Sequence, residues 1–320
     1  MGEHRMRIVL LDTATLGEDI DLSPITSLGE ATVYRSTRPE EVAERLRDAE
    51  VAVLNKIKLN ESNLSDAKDL RLICVTATGY DNIDIEYCKR RGIAVCNVPG
   101  YSTDSVAQIT LAMALTLTSH LNEYTAFVND GSYTASGVAN RLVPVYHELS
   151  SMTWGVLGGG AIGSRVAEIA SAFGAHVLVC RRQKDERYEQ VDFDELCRRS
   201  DILSLHVPLN DGTKNILNAE RIAKMKQGAI VINVARGAVA DEEALVRAIE
   251  DGHLGGLGID VYTKEPFDAS HPYHRILGRP NVCLTPHMAW GSFEARARCV
   301  DVIAKNMTAF ANGETKNRVV

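Results

Sequence analysis

No stretch of this chain is long and apolar enough to suggest a membrane span. A spanning helix needs about 18 or more nearly uninterrupted apolar residues, and no run here reaches that. The opening Met1-Gly2-Glu3-His4-Arg5-Met6 lacks the apolar centre of a secretory signal. Positive charge is also short: 35 Lys and Arg stand against 42 Asp and Glu, a formal net charge of −7. That balance speaks against nonspecific nucleic-acid binding. It also means that an anionic ligand must be drawn by a local basic site, against the field of the whole molecule. The seven cysteines, at 74, 88, 96, 180, 197, 283 and 299, are odd in number and include no C-x-x-C pair. Several sit in strand-like apolar runs, and they read as buried, reduced thiols of a cytoplasmic protein. Metal-ligand spacing and a nucleophile elbow are both missing, so no metal is expected.

What is present is ordinary globular material, 45% hydrophobic and 24% charged over 320 residues. That length exceeds one ordinary core and predicts two domains. The first hundred residues alternate strand and helix. Strands are predicted over Arg7 to Leu11, Ala31 to Tyr34, Val51 to Asn55, Leu72 to Val75 and Ile93 to Asn97. Helices fall between, notably Pro39 to Asp48 and Ile85 to Arg91. Such alternation predicts a parallel sheet covered on both faces. After the break Val98-Pro99-Gly100-Tyr101, Thr103 or Asp104 caps a long helix to about Leu121. It is apolar nearly all round, so it is expected to be buried. Asn129 to Ser151 reads as an irregular crossing segment. A second series follows with six strands: Thr153 to Leu157, His176 to Cys180, Ile202 to His206, Ile230 to Val234, Leu257 to Val261 and Val282 to Leu284. Six strands complete a dinucleotide-binding sheet. The last helix, about Ser292 to Asn312, cannot form a domain alone and is expected to pack back on the first. The predicted fold class is therefore α/β, with two doubly wound parallel-sheet domains, a Rossmann-type cofactor domain inserted in a flavodoxin-like substrate domain. Its expected bounds are 1–101 with 290–320 for the substrate domain and 102–289 for the cofactor domain, the crevice between them being the expected active site.

Gly158-Gly159-Gly160-Ala161-Ile162-Gly163 follows an apolar strand and opens a helix, Arg165 to Phe173, with a second strand, His176 to Cys180, closing the unit. A glycine turn in that context is a dinucleotide signature. Gly158 permits the tight turn, Gly160 the approach of backbone to pyrophosphate, and Gly163 close helix–strand packing. The free N–H groups of the helix start face the phosphates. The second strand ends Cys180-Arg181-Arg182-Gln183-Lys184, with Arg181 where NAD-binding units usually carry an acid. An arginine there attracts the 2′-phosphate that a carboxylate would repel, so NADP(H) is expected over NAD(H). A solvated basic loop that tolerates NAD(H) is the alternative.

Three strand ends carry the remaining chemistry: Asn233-Val234-Ala235-Arg236-Gly237, Asp260-Val261-Tyr262-Thr263-Lys264-Glu265-Pro266 and Thr285-Pro286-His287. Strand C-termini of open α/β sheets are where ligands bind. Arg236 is expected to hold a substrate carboxylate and polarise its carbonyl with a planar fork of donors. His287 is expected to give and take the proton at the carbonyl oxygen, as an imidazole near neutrality can. Glu265 would bond the other ring nitrogen and orient the ring. Asp260, after a strongly apolar run, is either desolvated and functional, with a hydrogen bond to the nicotinamide carboxamide, or near the strand mouth and solvated. In the first domain, Ala77, Thr78 and Gly79 follow a buried strand and let backbone N–H groups converge on an anion. Asn55 and Lys56 would add a polar or positive wall.

These residues resemble the D-isomer-specific 2-hydroxyacid dehydrogenase family over essentially the whole chain. The resemblance carries the family's glycine turn to Gly158–Gly163 and its arginine, glutamate and histidine to Arg236, Glu265 and His287. It makes His206, Val207, Pro208 and Thr213 the adenosine-side loop and Val106 a helix contact to the cofactor. It also implies a cytoplasmic homodimer built on the cofactor domains. Trp290, after Met288-Ala289, with Tyr101-Ser102-Thr103-Asp104-Ser105, looks like the glycerate dehydrogenase (hydroxypyruvate reductase) branch and would wall the pocket against large side chains. The implied activity is hydride transfer from NADP(H), or NAD(H), to C2 of a small 2-oxo acid such as hydroxypyruvate or glyoxylate. Other readings are a D-lactate or aryl-lactate type of the same family, a nucleotide-sensing binding protein on this fold, and an enzyme acting on phosphite or formate.

Overall fold

The computed structural model describes residues 5–183 and 186–320. Residues 1–4 of the opening segment, and Lys184 of the basic stretch, lie outside the described residues. The chain divides into two compact units, Met1–Ser102 with Gly291–Val320, and Thr103–Trp290.

The first unit holds β1 (Met6–Leu10), β2 (Gly29–Val33), β3 (Val51–Leu54), β4 (Leu72–Val75) and β5 (Ala94–Cys96). They form one parallel sheet in the order β2-β1-β3-β4-β5, the flavodoxin-like order. Each residue of β3 and β4 is buried, which is why both segments read as unbroken apolar runs. The expected Pro39–Asp48 helix is a 3₁₀ turn over Pro39–Glu41 running into Val42–Leu46. The Phe293–Ala311 helix starts where Ser292 Oγ accepts from Ala295 N at 3.2 Å. It buries Ala295, Cys299, Val300, Ile303 and Met307, one helical face, and packs against β4 and the Ser23–Thr26 turn of helix. Arg296 grips Asp19 with two bonds of 2.5 and 2.9 Å.

The second unit holds β6 (Thr153–Leu157), β7 (His176–Cys180), β8 (Glu189–Gln190), β9 (Ile202–Leu205), β10 (Ala229–Asn233), β11 (Leu254–Ile259) and β12 (Val282–Leu284). All are parallel, in the order β12-β11-β10-β9-β6-β7-β8. Counting from β6, the first six strands stand 3-2-1-4-5-6, as in dinucleotide-binding sheets, with β12 added at one edge. Alternate residues feed two cores. Leu203, Leu205, Val231 and Leu257 face the Glu242–Glu250 helix side, while Ile202, Ile230, Ile232 and Val156 meet the Thr103–Thr118 and Ala161–Ala172 helices. Trp154 is fully buried, and its Nε1 donates to Ser204 Oγ at 2.9 Å.

Four larger differences from the sequence expectation fall in the second unit. The sheet has seven strands, because β8 is two exposed polar residues whose pairing to Leu178 and Val179 is purely backbone. β11 starts at Leu254, since Gly255 and Gly256 carry no apolar signal; a Cβ at Gly256 would come within 3.3 Å of Leu117. The glycine-turn helix starts at Ala161 rather than Arg165. The long helix stops at Thr118, where the Oγ1 of Thr118 bonds back to Ala114 O, and His120 (φ 51°) turns the chain into a second helix, Leu121–Asn129. The segment after it contains only the short helix Ser132–Ser136 and a 3₁₀ turn at Leu149–Ser151. Among the described residues no helix is long and apolar enough to cross a membrane.

Candidate active site

In a parallel sheet every strand delivers its C-terminal end to one edge. In the second unit that edge gathers Gly158 after β6, Arg181 after β7, His206 after β9, Arg236 after β10, Asp260 after β11 and His287 after β12. The sequence expectations for this unit therefore converge on one side of one sheet.

The β6 turn is built by close approach. Gly158 has φ +106°, and a Cβ there would lie 2.5 Å from His206 O; a Cβ at Gly163 would lie 2.1 Å from Gly158 O. Gly160 is the N-cap of the Ala161–Ala172 helix, offers no capping side chain, and has open space where its Cβ would be. Backbone donors at the head of the helix thus border open space beside Gly160, an arrangement that suits an anion. Arg181 lies across the turn: a Cβ on Gly159 would meet its Nε at 2.4 Å and its Cζ at 2.7 Å. Arg182 is exposed. His206 has both ring nitrogens buried and without a hydrogen-bond partner among the described residues. Burial pushes its imidazole down to about 3, so the ring is neutral at physiological pH. Beside it, Val207 packs near Gly158, and Thr213 Oγ1 ties the loop to Pro208 O at 2.5 Å. Val106 is buried in the core beneath this turn, and Ile162 packs on the same cluster. A glycine cradle and two orphaned imidazole nitrogens fit a dinucleotide.

Asn233, the buried last residue of β10, shapes the arginine turn. Its Oδ1 accepts from Ala235 N at 3.0 Å and its Nδ2 donates to Arg236 O at 2.9 Å. Arg236 Nη1 donates to Ala235 O at 2.8 Å. Val234 is buried and Ala235 half-buried.

His287 and Glu265 meet directly: Nδ1 is 2.7 Å from Glu265 Oε2. The other carboxylate oxygen accepts from Tyr262 N at 3.0 Å. With Nδ1 engaged by a carboxylate, the proton of a neutral ring belongs on Nδ1 and Nε2 is left as the reactive atom. His287 has φ 52°, a left-handed value that costs about 1–3 kcal/mol for a side chain of this kind and persists only where surroundings dictate it. Asp260 supplies that constraint. Its carboxylate, almost fully buried, accepts from Thr285 Oγ1 at 2.6 Å, Met288 N at 2.8 Å and Ala289 N at 3.0 Å. Burial raises the Asp260 carboxyl above its ordinary value, opposed by the Thr285 hydroxyl and the Ala289 and Met288 amides. Ser105 Oγ, on the Thr103–Thr118 helix, anchors the same turn through Ala289 O at 2.6 Å. Trp290 is partly buried against the adjoining core.

In the first unit, Asp12 holds the end of β3. Its two carboxylate oxygens accept from Asn55 N at 2.8 Å and Lys56 N at 2.7 Å, while Asn82 Nδ2 donates to Asn55 O and Ile57 O. Desolvation raises the Asp12 carboxyl, with the Lys56 and Asn55 amides acting against it. After β4, Ala77 O accepts from Val98 N at 3.0 Å and Thr78 Oγ1 donates to Val98 O at 2.8 Å, and Gly79 follows.

Sequence reasoning passed over Asn233 and Thr285, which shape turns of the second unit, and Asp12, which holds the end of β3 in the first. The available signal was a polar residue ending an apolar strand, shared by Asn233 and Asp12.

Comparison with known proteins agrees with this geometry. Residues 111–289 match the family model for the D-isomer specific 2-hydroxyacid dehydrogenase NAD binding domain. The chain is 34% identical over 323 residues to the hydroxypyruvate reductase of Blautia hydrogenotrophica, covering 98% of this chain and 99% of that one. It is 36% identical over 315 residues to the glycerate dehydrogenase of Methylorubrum extorquens, covering 98% of each. The crystal structure of D-lactate dehydrogenase from Aquifex aeolicus, complexed with NAD and lactic acid, superposes with a TM-score of 0.85 at 32% identity, over 96% of both chains.

Proposed function

Because this chain belongs to the D-isomer-specific 2-hydroxyacid dehydrogenase family, and is thereby a nicotinamide-dependent oxidoreductase, we infer that it reduces a small 2-oxo acid, hydroxypyruvate or glyoxylate, with NADPH. The observation that carries the reading is the 2.7 Å contact of His287 Nδ1 with Glu265, on the sheet edge that also presents the glycine turn and Arg236.

When bound, the nicotinamide supplies the hydride that adds to C2. Arg236 binds the substrate carboxylate and draws electron density from the carbonyl, lowering the barrier to addition. His287 delivers a proton from Nε2 to the carbonyl oxygen as it becomes an alkoxide, and recovers it in the reverse direction. Glu265 keeps the ring oriented through its contact with Nδ1. Gly158, Gly160 and Gly163, with Ala161 and Ile162, hold the pyrophosphate; His206, Val207, Pro208 and Thr213 border the adenosine side, and Val106, Val234, Ala235 and Asp260 the nicotinamide side. Arg181, lying against Gly159, supports NADP(H), since its guanidinium stands beside the turn. Asn55, Lys56, Ala77, Thr78 and Gly79, at strand ends of the first unit, are candidate anion-binding residues. Trp290 restricts side-chain size.

A homodimer is supported by an apolar arm. Leu142, Val143 and Val145 are 72%, 65% and 66% exposed, and Leu121, Val128, Val138 and Tyr146 are also exposed. Apolar surface concentrated in one segment marks an interface, and a two-fold dimer would cover it with its own copy. Free cysteines throughout accord with a cytoplasmic, reducing setting.

The test is the loss of reduced-nicotinamide absorbance with hydroxypyruvate, glyoxylate, pyruvate and phenylpyruvate, each with NADPH and NADH. Fastest turnover of NADPH with hydroxypyruvate or glyoxylate is expected. An NADH preference would overturn the Arg181 assignment. Preference for pyruvate or phenylpyruvate would give the lactate or aryl-lactate reading instead, and no oxidation at all would favour a cofactor-sensing protein.

A further inference from the structure

The three catalytic strand ends are joined by one dipeptide, Tyr262-Thr263. Gly237, the residue after Arg236, packs on it so tightly that a Cβ there would lie 2.1 Å from Tyr262 C and 2.3 Å from Thr263 N. Tyr262 N donates to Glu265 Oε1 at 3.0 Å. Tyr262 Oη donates to Thr285 O at 2.8 Å, two residues before His287. A shift of this dipeptide would therefore move Arg236, Glu265 and His287 together.

Glu242 holds it from behind. This residue sits in the first turn of the Glu242–Glu250 helix, after the N-cap Asp241, and is only 7% exposed. Its Oε1 accepts from Thr263 N at 2.9 Å and its Oε2 from Thr263 Oγ1 at 2.5 Å. His271, also buried, places Nε2 at 3.1 Å from Oε2. His271 Nδ1 accepts from Tyr273 N at 3.4 Å, while Nε2, although close to Glu242, makes no hydrogen bond among the described residues. A buried carboxylate is costly unless fully engaged. Here both of its oxygens bond to a single residue of the catalytic loop, at the start of a helix, where negative charge is favoured.

We propose that Glu242, acting through Thr263, is the positioning residue that keeps Arg236, Glu265 and His287 in register. It touches neither substrate nor cofactor. The inference rests on reading those three residues as the reacting set, and deepens that reading.

The experiment compares Glu242→Gln and Thr263→Val in the full chain with wild type and Glu265→Gln. Thr263→Val removes only the hydroxyl at nearly constant shape, so it remains informative should Glu242→Gln fold poorly. Steady-state kinetics should show kcat down by about tenfold or more, the worth of one charge-assisted hydrogen bond, with NADPH affinity by fluorescence titration unchanged. Combined with Glu265→Gln, either change should cost far less than it does alone, because both act through one group. Independently of turnover, ¹⁵N shifts of the His287 ring, assigned with His287→Asn, should report an Nδ1-protonated neutral tautomer in wild type and a growing Nε2-protonated share in the variants. Unchanged kcat and unchanged tautomer, with only a lowered melting temperature, would reduce Glu242 to a fold-stabilising residue and overturn the proposal. Wild type without turnover on any 2-oxo acid would instead overturn the functional reading, and the tautomer measurement would still decide the role of Glu242.

Discussion

Asp260→Asn should separate activity from stability. In the native protein Asp260 Oδ1 accepts from Thr285 Oγ1 and Met288 N, and Oδ2 accepts from Ala289 N. An amide offers one oxygen. Placed at Oδ1, that oxygen keeps two bonds and turns an NH₂ group toward the Ala289 N–H; placed at Oδ2, two bonds are lost. The gentler outcome removes one charge-assisted bond, about 1.5–3 kcal/mol. That is comparable to the cost, about 1–3 kcal/mol, of holding His287 at a left-handed φ. The turn then has access to conformations in which the imidazole is misaimed. If the whole difference appears in the barrier, kcat falls by about ten- to a hundredfold, at 1.36 kcal/mol per decade.

Stability should move differently. Burial raises the Asp260 carboxyl above its ordinary value, so the folded state holds its proton more tightly than the unfolded chain does. The contribution of this group to stability is complete below the ordinary carboxylate value of about 4 and is lost as pH climbs through the raised folded value. The Asn variant titrates nothing there. Its melting temperature relative to wild type should therefore improve as pH climbs from about 4 through the raised folded value, even as turnover drops. Stopped-flow or steady-state rates with parallel thermal melts at several pH values would measure both. Wild-type kcat in a folded variant would refute the claim that Asp260 constrains the His287 turn, and a melting difference independent of pH would refute the buried-charge argument.

His287→Asn should lower kcat by about 10²–10⁴-fold while cofactor affinity survives, since only the proton donor is removed; near-normal turnover would exclude His287 as the acid–base group. Arg181→Ser should lower the NADPH-to-NADH ratio of kcat/KM by about tenfold or more, through loss of a charge-assisted phosphate contact, and an unchanged ratio would show that Arg181 does not read the phosphate. Leu142→Asp with Val145→Asp should leave a folded monomer by light scattering, because an unpaired carboxylate in a buried interface costs several kcal/mol; a persisting dimer would place the interface elsewhere.

The fold was legible because both sheets are parallel and buried. Such strands are near-continuous apolar runs, as in Leu72–Val75 and Ile230–Ile232, and their alternation with helices dictates a doubly wound topology. The candidate site was legible for a related reason. A parallel sheet sends every strand end to the same edge, so polar residues found after successive apolar runs could be collected without knowing any contact between them. Arg181, Arg236, Asp260 and His287 came from that rule alone. What escaped was whatever lacked a local pattern. β8 is two polar residues paired through backbone. The break at His120 depends on one left-handed residue inside an apolar helix.

Asp260 shows the sharper limit. Its place at a strand end marked it as a candidate, but nothing local records that its carboxylate accepts bonds from residues 25 to 29 positions further along the chain. Glu242 reaches Thr263 across 21 positions. No periodicity records such pairs, because they are set by how neighbouring strands and helices align in space. Yet these are the contacts that hold His287 in a strained turn and Glu265 against its ring. The strand-end rule finds the groups able to do chemistry; the buried carboxylates behind them determine whether those groups are aimed. Substitutions that leave Arg236, Glu265 and His287 untouched, but alter Asp260 or Glu242, should on this reasoning be as damaging to turnover as many substitutions in the site itself.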